Sequence, residues 1–237
     1  MTADTECGAE AEMDTNTISR VSEPRTAGES RAARKERTRQ ALLDGALDLV
    51  GDRNFSSVSL REVARAADIV PTAFYRHFGS LEELGVVLVE ESMRVLRQML
   101  RDTRRAPAAK GASGTMRTSG SLHLLADQVR AHPAQFRFLT RERNGGVPEI
   151  RRAIDSEMRV FVSELVVDLA RVPALADWSR ADLEAAADLI VATGAATAVE
   201  LLDSDRPGGH EAQIVERAEK QLRLVVLGMG AWDPQRS

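Results

Sequence analysis

Apolar residues recur along this chain at helical intervals, and no stretch alternates as a half-buried strand would. Leu42, Ala46, Leu49 and Val50 form the stripe of a first helix, which Gly51 is expected to end, with Phe55 and Val58 packing just beyond it. Leu60, Val63, Ala64 and Ala67 fall at i, i+3, i+4 and i+7, the signature of a second, short helix. Phe74 and Phe78 share a face of a third. A long fourth helix carries Leu84, Leu88, Val95 and Met99 and reaches about Arg105. After a Pro/Ala/Gly/Ser connection at 106–116, Leu122, Leu125 and Val129 mark a fifth helix, stopped by Pro133. Phe136 and Leu139 sit on a short sixth, closed by Asn144-Gly145-Gly146. Pro148 opens a seventh, whose stripe runs Ile150, Ile154, Phe161, Leu165 and Leu169 before Pro173 blocks continuation. Ser179 with Asp182 opens an eighth, and the segment DSDRPGGH at 203–210 separates it from a ninth bearing Ile214, Ala218, Leu222 and Val225. No repeat period is visible. The fold class is all-α.

The second and third helices carry the most local punctuation. Ser59 with Glu62 three residues on is a capping box, each side chain satisfying the other residue's backbone donor. Asp68 tolerates the left-handed conformation that a sharp turn needs, and Pro71 suits a first helical position. With Phe74 and Phe78 facing inward, Thr72, Tyr75, Arg76 and His77 point elsewhere. Two short helices at a steep angle, with hydroxyl and cationic groups on the outer face of the second, form a helix-turn-helix. An ordinary helical corner with solvated Tyr and Arg would share this spacing.

Charge separates the two readings. The chain of 237 residues is formally −4, which alone argues against a nucleic-acid partner. Its distribution says otherwise: residues 1–30 are −5, whereas residues 31–77 are +3. Arg31, Arg34, Lys35, Arg37 and Arg39 crowd the start of the first helix with only Glu36 opposing. Cations there oppose the helix macrodipole, so a phosphate or minor-groove contact accounts for them better than stability does. The leader, 1–30, has almost no large apolar side chains and is expected to be disordered. The reading divides the rest into a DNA-binding unit over 31–79 and a helical unit over 80–232.

Other chemistry is sparse. Cys7 is the one cysteine, so no disulfide forms within the chain. No apolar run approaches the ~18 residues of a membrane helix, and the acidic N-terminus does not read as a secretory signal, so the expected home is the cytoplasm, with no membrane partner. His77, His123, His132 and His210 stand singly, without metal-ligand spacing. No nucleophile elbow, Walker loop or paired-carboxylate motif occurs. The expectation is therefore no catalytic residue, no metal, no cofactor, and not an enzyme. At the reader, Arg76 suits guanine O6 and N7, and Thr72 a base edge or thymine methyl, with Ala73 in the same contact set. Tyr75, His77, Ser59, Arg34, Lys35 and Arg37 suit phosphates.

The run from Val58 to Leu84, with LREVAR, IVPTAFYRHF and Glu83-Leu84, resembles the DNA-binding signature of TetR-family transcriptional regulators, and most closely the FabR/DesT-like branch that regulates unsaturated fatty acid synthesis. Most members of the family have Gly at the place of Asp68, a Ser or Thr cap at Val70, and many have Lys at Leu81; the branch shares the last two differences. The resemblance implies an N-terminal three-helix helix-turn-helix domain and a C-terminal helical ligand-binding and dimerisation domain. It implies a homodimer on a palindromic double-stranded operator, acting as a repressor, and a long-chain acyl-CoA or fatty acid effector. HPAQFRFLTRERNG at 132–145 resembles the corresponding region of that branch. Candidate effector residues are Phe136, Leu139, Thr140, Phe161 and Leu165 for a tail, with Arg141 and Arg143 for coenzyme A phosphates. The Ala- and Gly-rich run between Ala185 and Ala198 suits the family's bundle of last helices, and Gly194 is expected to have a packing reason. Two alternatives stay open: a repressor answering to another hydrophobic small molecule, such as a drug or metabolite, and a helical enzyme or acyl-carrier-type binding protein without a nucleic-acid role.

Overall fold

The computed structural model describes residues 30–105, 114–204 and 210–233. The expected leader lies outside them apart from Ser30, as do most of the 106–116 connection and 205–209. Among the described residues there are nine α-helices and no strand: α1 (Arg31–Asp52), α2 (Leu60–Ala66), α3 (Pro71–Phe74), α4 (Leu81–Arg105), α5 (Gly114–Ala131), α6 (Pro133–Glu142), α7 (Pro148–Leu169), α8 (Arg180–Asp203) and α9 (His210–Ala231). Short 3-10 turns at Phe55–Ser57 and Pro173–Leu175 complete the chain.

The helix starts follow local chemistry. Ser30 caps α1 by accepting from the Ala33 N–H at 3.1 Å, and Ser179 caps α8 by accepting from the Asp182 N–H at 3.2 Å. At α4 the Ser80 hydroxyl accepts from the Glu83 N–H, while the Glu83 carboxylate accepts from the Gly79 N–H at 2.7 Å, one residue further back than in a capping box. Gly51 does not end α1. The helix passes through it to Asp52, and Gly51 is buried under Ala134 of α6.

Three apolar clusters hold the helices together. The largest joins Leu42, Leu43, Ala46 and Val50 of α1, Phe55, Val63, Phe74, Phe78 and the inner side of α4 to Phe138 of α6 and to Ile150 and Ile154 of α7. Each fully buried Leu or Phe there is worth roughly 1.5–3 kcal/mol relative to exposure. This cluster runs straight across residues 79 and 80, so the helix-turn-helix shares one core with α6 and α7. A second cluster joins Leu122, Leu125 and Val129 of α5, Phe136 of α6, Ala198 of α8 and Ala218 and Leu222 of α9. A third packs Val166, Leu175, Leu183 and Ala187 with Trp178 and Met229, and the Trp178 and Trp232 rings lie 6.4 Å apart beside it. Ion pairs Arg97–Glu157 and Arg101–Glu164 tie α4 to α7.

Two expectations are corrected here, and a third, the packing reason for Gly194, finds no support within one chain. Val95 is 44% exposed, because the turn of α4 buries Met93 instead and packs Leu96 inward. A Cβ on Gly194 would meet only Leu125 Cδ2 at 3.9 Å, an ordinary contact, so packing within the chain does not require glycine there. And α8 is, by length and composition, apolar enough to cross a membrane, with mean hydropathy 1.6 over its best window. Its apolarity is spread over many alanines rather than one unbroken run of large side chains. In the fold it packs against α5, α6, α7 and α9.

Candidate nucleic-acid interface

The turn between α2 and α3 is built by its own backbone. Ser59 and Glu62 form the reciprocal cap: the Ser59 hydroxyl accepts from the Glu62 N–H at 3.3 Å and donates to Glu62 Oε2 at 2.8 Å, and the Ser59 N–H donates to Oε2 at 2.9 Å. The Arg53 guanidinium adds a third donor to the carboxylate, at 2.9 Å. These hydrogen bonds, the Ser59 side chain's first, bring the Glu62 carboxyl down to about 2. At the other end of α2, the Ile69 N–H reaches Ala64 O at 2.9 Å and the Asp68 N–H reaches Arg65 O at 3.1 Å, the paired bonds of a Schellman motif. Asp68 occupies the left-handed position of that motif with φ 54°, the single positive φ outside glycine among the described residues. Asp therefore does here what glycine usually does at such a helix end, at a smaller steric penalty than other side chains would incur. Ile69, the next residue, packs against the large cluster and anchors the turn.

The reader itself is short. Pro71 opens α3 at its first position, Val70 caps it without a side-chain bond, and the α-helix proper ends at Phe74. The chain continues as a tight turn in which the His77 and Phe78 N–H groups both return to Phe74 O, at 2.8 and 3.1 Å. Phe74 and Phe78 are buried, 5.7 Å apart ring to ring, which fixes the opposite face outward. Thr72, Tyr75 and Arg76 are exposed on it, Ala73 is half-buried, and Tyr75 is held edge-on to Phe74.

Helix α1 brings the basic run to the same place. Arg34, Lys35 and Arg37 are exposed at its start. His77 connects the two sets: burial pushes its imidazole below the ordinary range, and the Lys35, Arg39 and Arg76 cations push it further down. Its Nδ1 is buried without a hydrogen-bond partner among the described residues. Arg39 differs from its neighbours in the run. Its guanidinium lies 5.0 Å from the Phe78 ring centre and pairs with Glu91 of α4 at 3.5 Å, so it braces the reader from behind. Spacing along α1 gave no sign of this, since both partners are distant in sequence.

The residues expected to hold an effector are placed apart. Phe136 lies in the cluster of α5, α8 and α9, Leu139 packs on the large cluster, and Leu165 belongs to the third. Phe161 is half-buried on α7, and Arg143 is exposed. Thr140 donates back to Phe136 O at 2.8 Å within α6. Arg141 donates to Val50 O at 3.0 Å, capping the end of α1. Glu142, 1% exposed, accepts the Phe55 N–H at 2.8 Å. The end of α6 therefore grips the corner where α1 gives way to the helix-turn-helix. Glu142 was not foreseen from the sequence, where a charged residue late in a polar helix reads as solvated.

The comparisons agree with this geometry. A family model described as bacterial regulatory proteins, tetR family, matches residues 42–85, and one described as tetracyclin repressor-like, C-terminal domain, matches 115–230; together they span well over half of the chain. Similar folds include a TetR-family transcriptional regulator from Streptomyces coelicolor (17% identity, TM-score 0.62, covering 82% of this chain and 97% of that one). The regulator FadR from Bacillus subtilis, solved in complex with stearoyl-CoA, is 15% identical with TM-score 0.64, over 80% of this chain and 98% of that one. Reduced NemR of E. coli is 19% identical with TM-score 0.61, over 79% and 97%.

Proposed function

This chain belongs to the TetR family of transcriptional regulators, which are DNA-binding proteins and not enzymes, and from that premise we propose that it is a homodimeric repressor whose affinity for a palindromic operator is set by long-chain acyl-CoA or fatty acid. The observation that carries the DNA part is the seating of the Arg39 guanidinium of α1 on Phe78, 5.0 Å from its ring centre, which brings the helix start with its exposed Arg34, Lys35 and Arg37 alongside the reader that exposes Thr72, Tyr75 and Arg76. Arg76 and Thr72 meet base edges there, with Ala73 beside them. Arg34, Lys35, Arg37, Tyr75 and His77 meet phosphates, and Ser59 does so by exchanging its hydroxyl bond to Glu62 for one to the backbone of the duplex. A two-fold pair of subunits would set two readers about 34–36 Å apart, the spacing of successive major grooves.

Support for the dimer comes from apolar side chains left on the outside of the last two helices: Leu189 and Val199 of α8 are 53% and 42% exposed, and Leu224 and Leu227 of α9 are 69% and 62%. Support for a lipid effector is the likeness of Val58–Leu84 and of 132–145 to regulators of fatty acid synthesis, together with the acyl-CoA held by the similarly folded FadR. Phe136, Leu139, Thr140, Phe161 and Leu165 are the proposed tail contacts and Arg143 the phosphate contact. In this reading the protein works in the cytoplasm, away from membranes and without a cofactor. Arg141 is already committed to α1, which favours as second reading an uncharged hydrophobic effector, such as a drug or metabolite.

Operator titration tests the first part. Arg76→Ala should relax sequence preference by about 1–3 kcal/mol at one position per half-site. Lys35→Ala should weaken every sequence alike and flatten the salt dependence. Undiminished discrimination by Arg76→Ala would remove that residue from base reading. Titration with saturated and unsaturated acyl-CoAs tests the second, since an operator affinity indifferent to the whole panel overturns the lipid effector.

A further inference from the structure

We propose that Val70 reads a thymine methyl group at the leading edge of the operator half-site; this rests on the DNA-reading surface argued above. Val70 stands immediately before α3, with extended backbone (φ −71°, ψ 143°) and no side-chain bond to the helix it caps. A Ser, Thr, Asp or Asn there would satisfy one of the free backbone donors. Val forgoes that stabilisation. It also gains nothing from the core: it is 64% exposed, while Ile69 before it packs inward and Pro71 after it is exposed. A branched apolar side chain has thus been placed where it costs the helix a cap and leaves a hydrocarbon in water.

The place it occupies explains the exchange. In a docked helix-turn-helix, the N-terminal residues of the second helix are the ones that meet base edges. The major-groove edge offers hydrogen-bonding groups at every base pair but one apolar feature, the C5 methyl of thymine. The same reader is suited to that ligand: Thr72, two residues on, exposes a hydroxyl and a methyl, and Arg76 further along it is an exposed cation. A hydrocarbon on an element that also exposes a hydroxyl and a cation matches a methyl group on a phosphate-flanked groove, and is poorly matched to an apolar protein partner, which would leave that cation desolvated.

The test begins by selecting an operator from a random duplex library with the full chain. Each thymine of the half-site is then replaced singly by deoxyuridine, which removes only the methyl. Wild type, Val70→Ala and Val70→Ser are titrated on every duplex; Ser restores a helix cap, so a loss of folding cannot account for its behaviour. One thymine per half-site should show a loss of roughly four-fold on demethylation with wild type, the equivalent of one buried methyl group. Val70→Ser and Val70→Ala should bind the thymine and uridine forms of that site equally. If wild type is selective but indifferent to every demethylation, or if both variants keep the full penalty, Val70 does not read thymine while the DNA-reading surface stands. If no sequence is enriched at all, both assignments fall.

Discussion

Glu62 takes three donors at once, from the Ser59 hydroxyl, the Ser59 backbone and Arg53, and its carboxyl falls from an ordinary 4.5 to about 2. A carboxyl depressed on folding contributes stability that is whole above the unfolded value and lost as pH falls toward the folded one. Denaturant melts of wild type should therefore weaken between pH 4.5 and about 2, and Glu62→Gln should show a smaller acid dependence over that window; equal slopes would mean that the carboxylate contributes nothing. Residues of this kind were legible in the sequence because their chemistry is local: a Ser three positions before a Glu, an Asp where the backbone must turn left-handed, a Pro at a helix start. Arg39 was not, since its partners Phe78 and Glu91 lie far along the chain and only folding brings them to it.

Among the elements, α6 has the most unusual ending. Arg141 and Glu142 hold α1 and Phe55 by backbone groups alone, and Gly145 makes room for the carboxylate: a Cβ there would stand 2.1 Å from Glu142 Oε2. Gly145→Ala should thus displace Glu142 and reproduce Glu142→Ala, each losing about 1–3 kcal/mol in chemical denaturation for the buried bond to Phe55; a silent Gly145→Ala would disprove the link. Two other glycines give opposite expectations. At Gly45, where α1 meets α2, a Cβ would come within 2.8 Å of Ala66 Cβ, which has nowhere to go, so Gly45→Ala should cost about 1–3 kcal/mol. Gly194→Ala meets only an ordinary contact with Leu125 and should gain up to ~1 kcal/mol of helix propensity within one chain; thermal melts separate the pair. Helix existence and starts were readable from apolar spacing and caps. Which glycines matter was not, because a close approach belongs to two elements and spacing describes one.

At the scale of the molecule, Leu224 and Leu227 on α9 are 69% and 62% exposed, a large apolar surface left in water by one chain. Leu224→Glu should convert a dimer to a monomer in sedimentation, with unchanged helical circular dichroism, and should weaken operator binding. Dimeric Leu224→Glu protein would move the contact elsewhere. The two-part plan was visible in the sequence, as a basic N-terminal reader followed by an acidic helical body. What spacing missed is that the two parts share one apolar cluster across residue 80. The effector contacts were least legible, because aromatic and aliphatic positions at helical intervals look alike whether they line a ligand or each other. The placement of the aromatic rings carries one practical result. Both tryptophans, Trp178 and Trp232, lie beyond the far end of α7, a helix about 33 Å long that begins beside Ser56, whereas the one tyrosine, Tyr75, belongs to the reader. Ultraviolet emission is thereby split by address: indole light reports on the body, phenol light on the reader, and neither needs an attached dye.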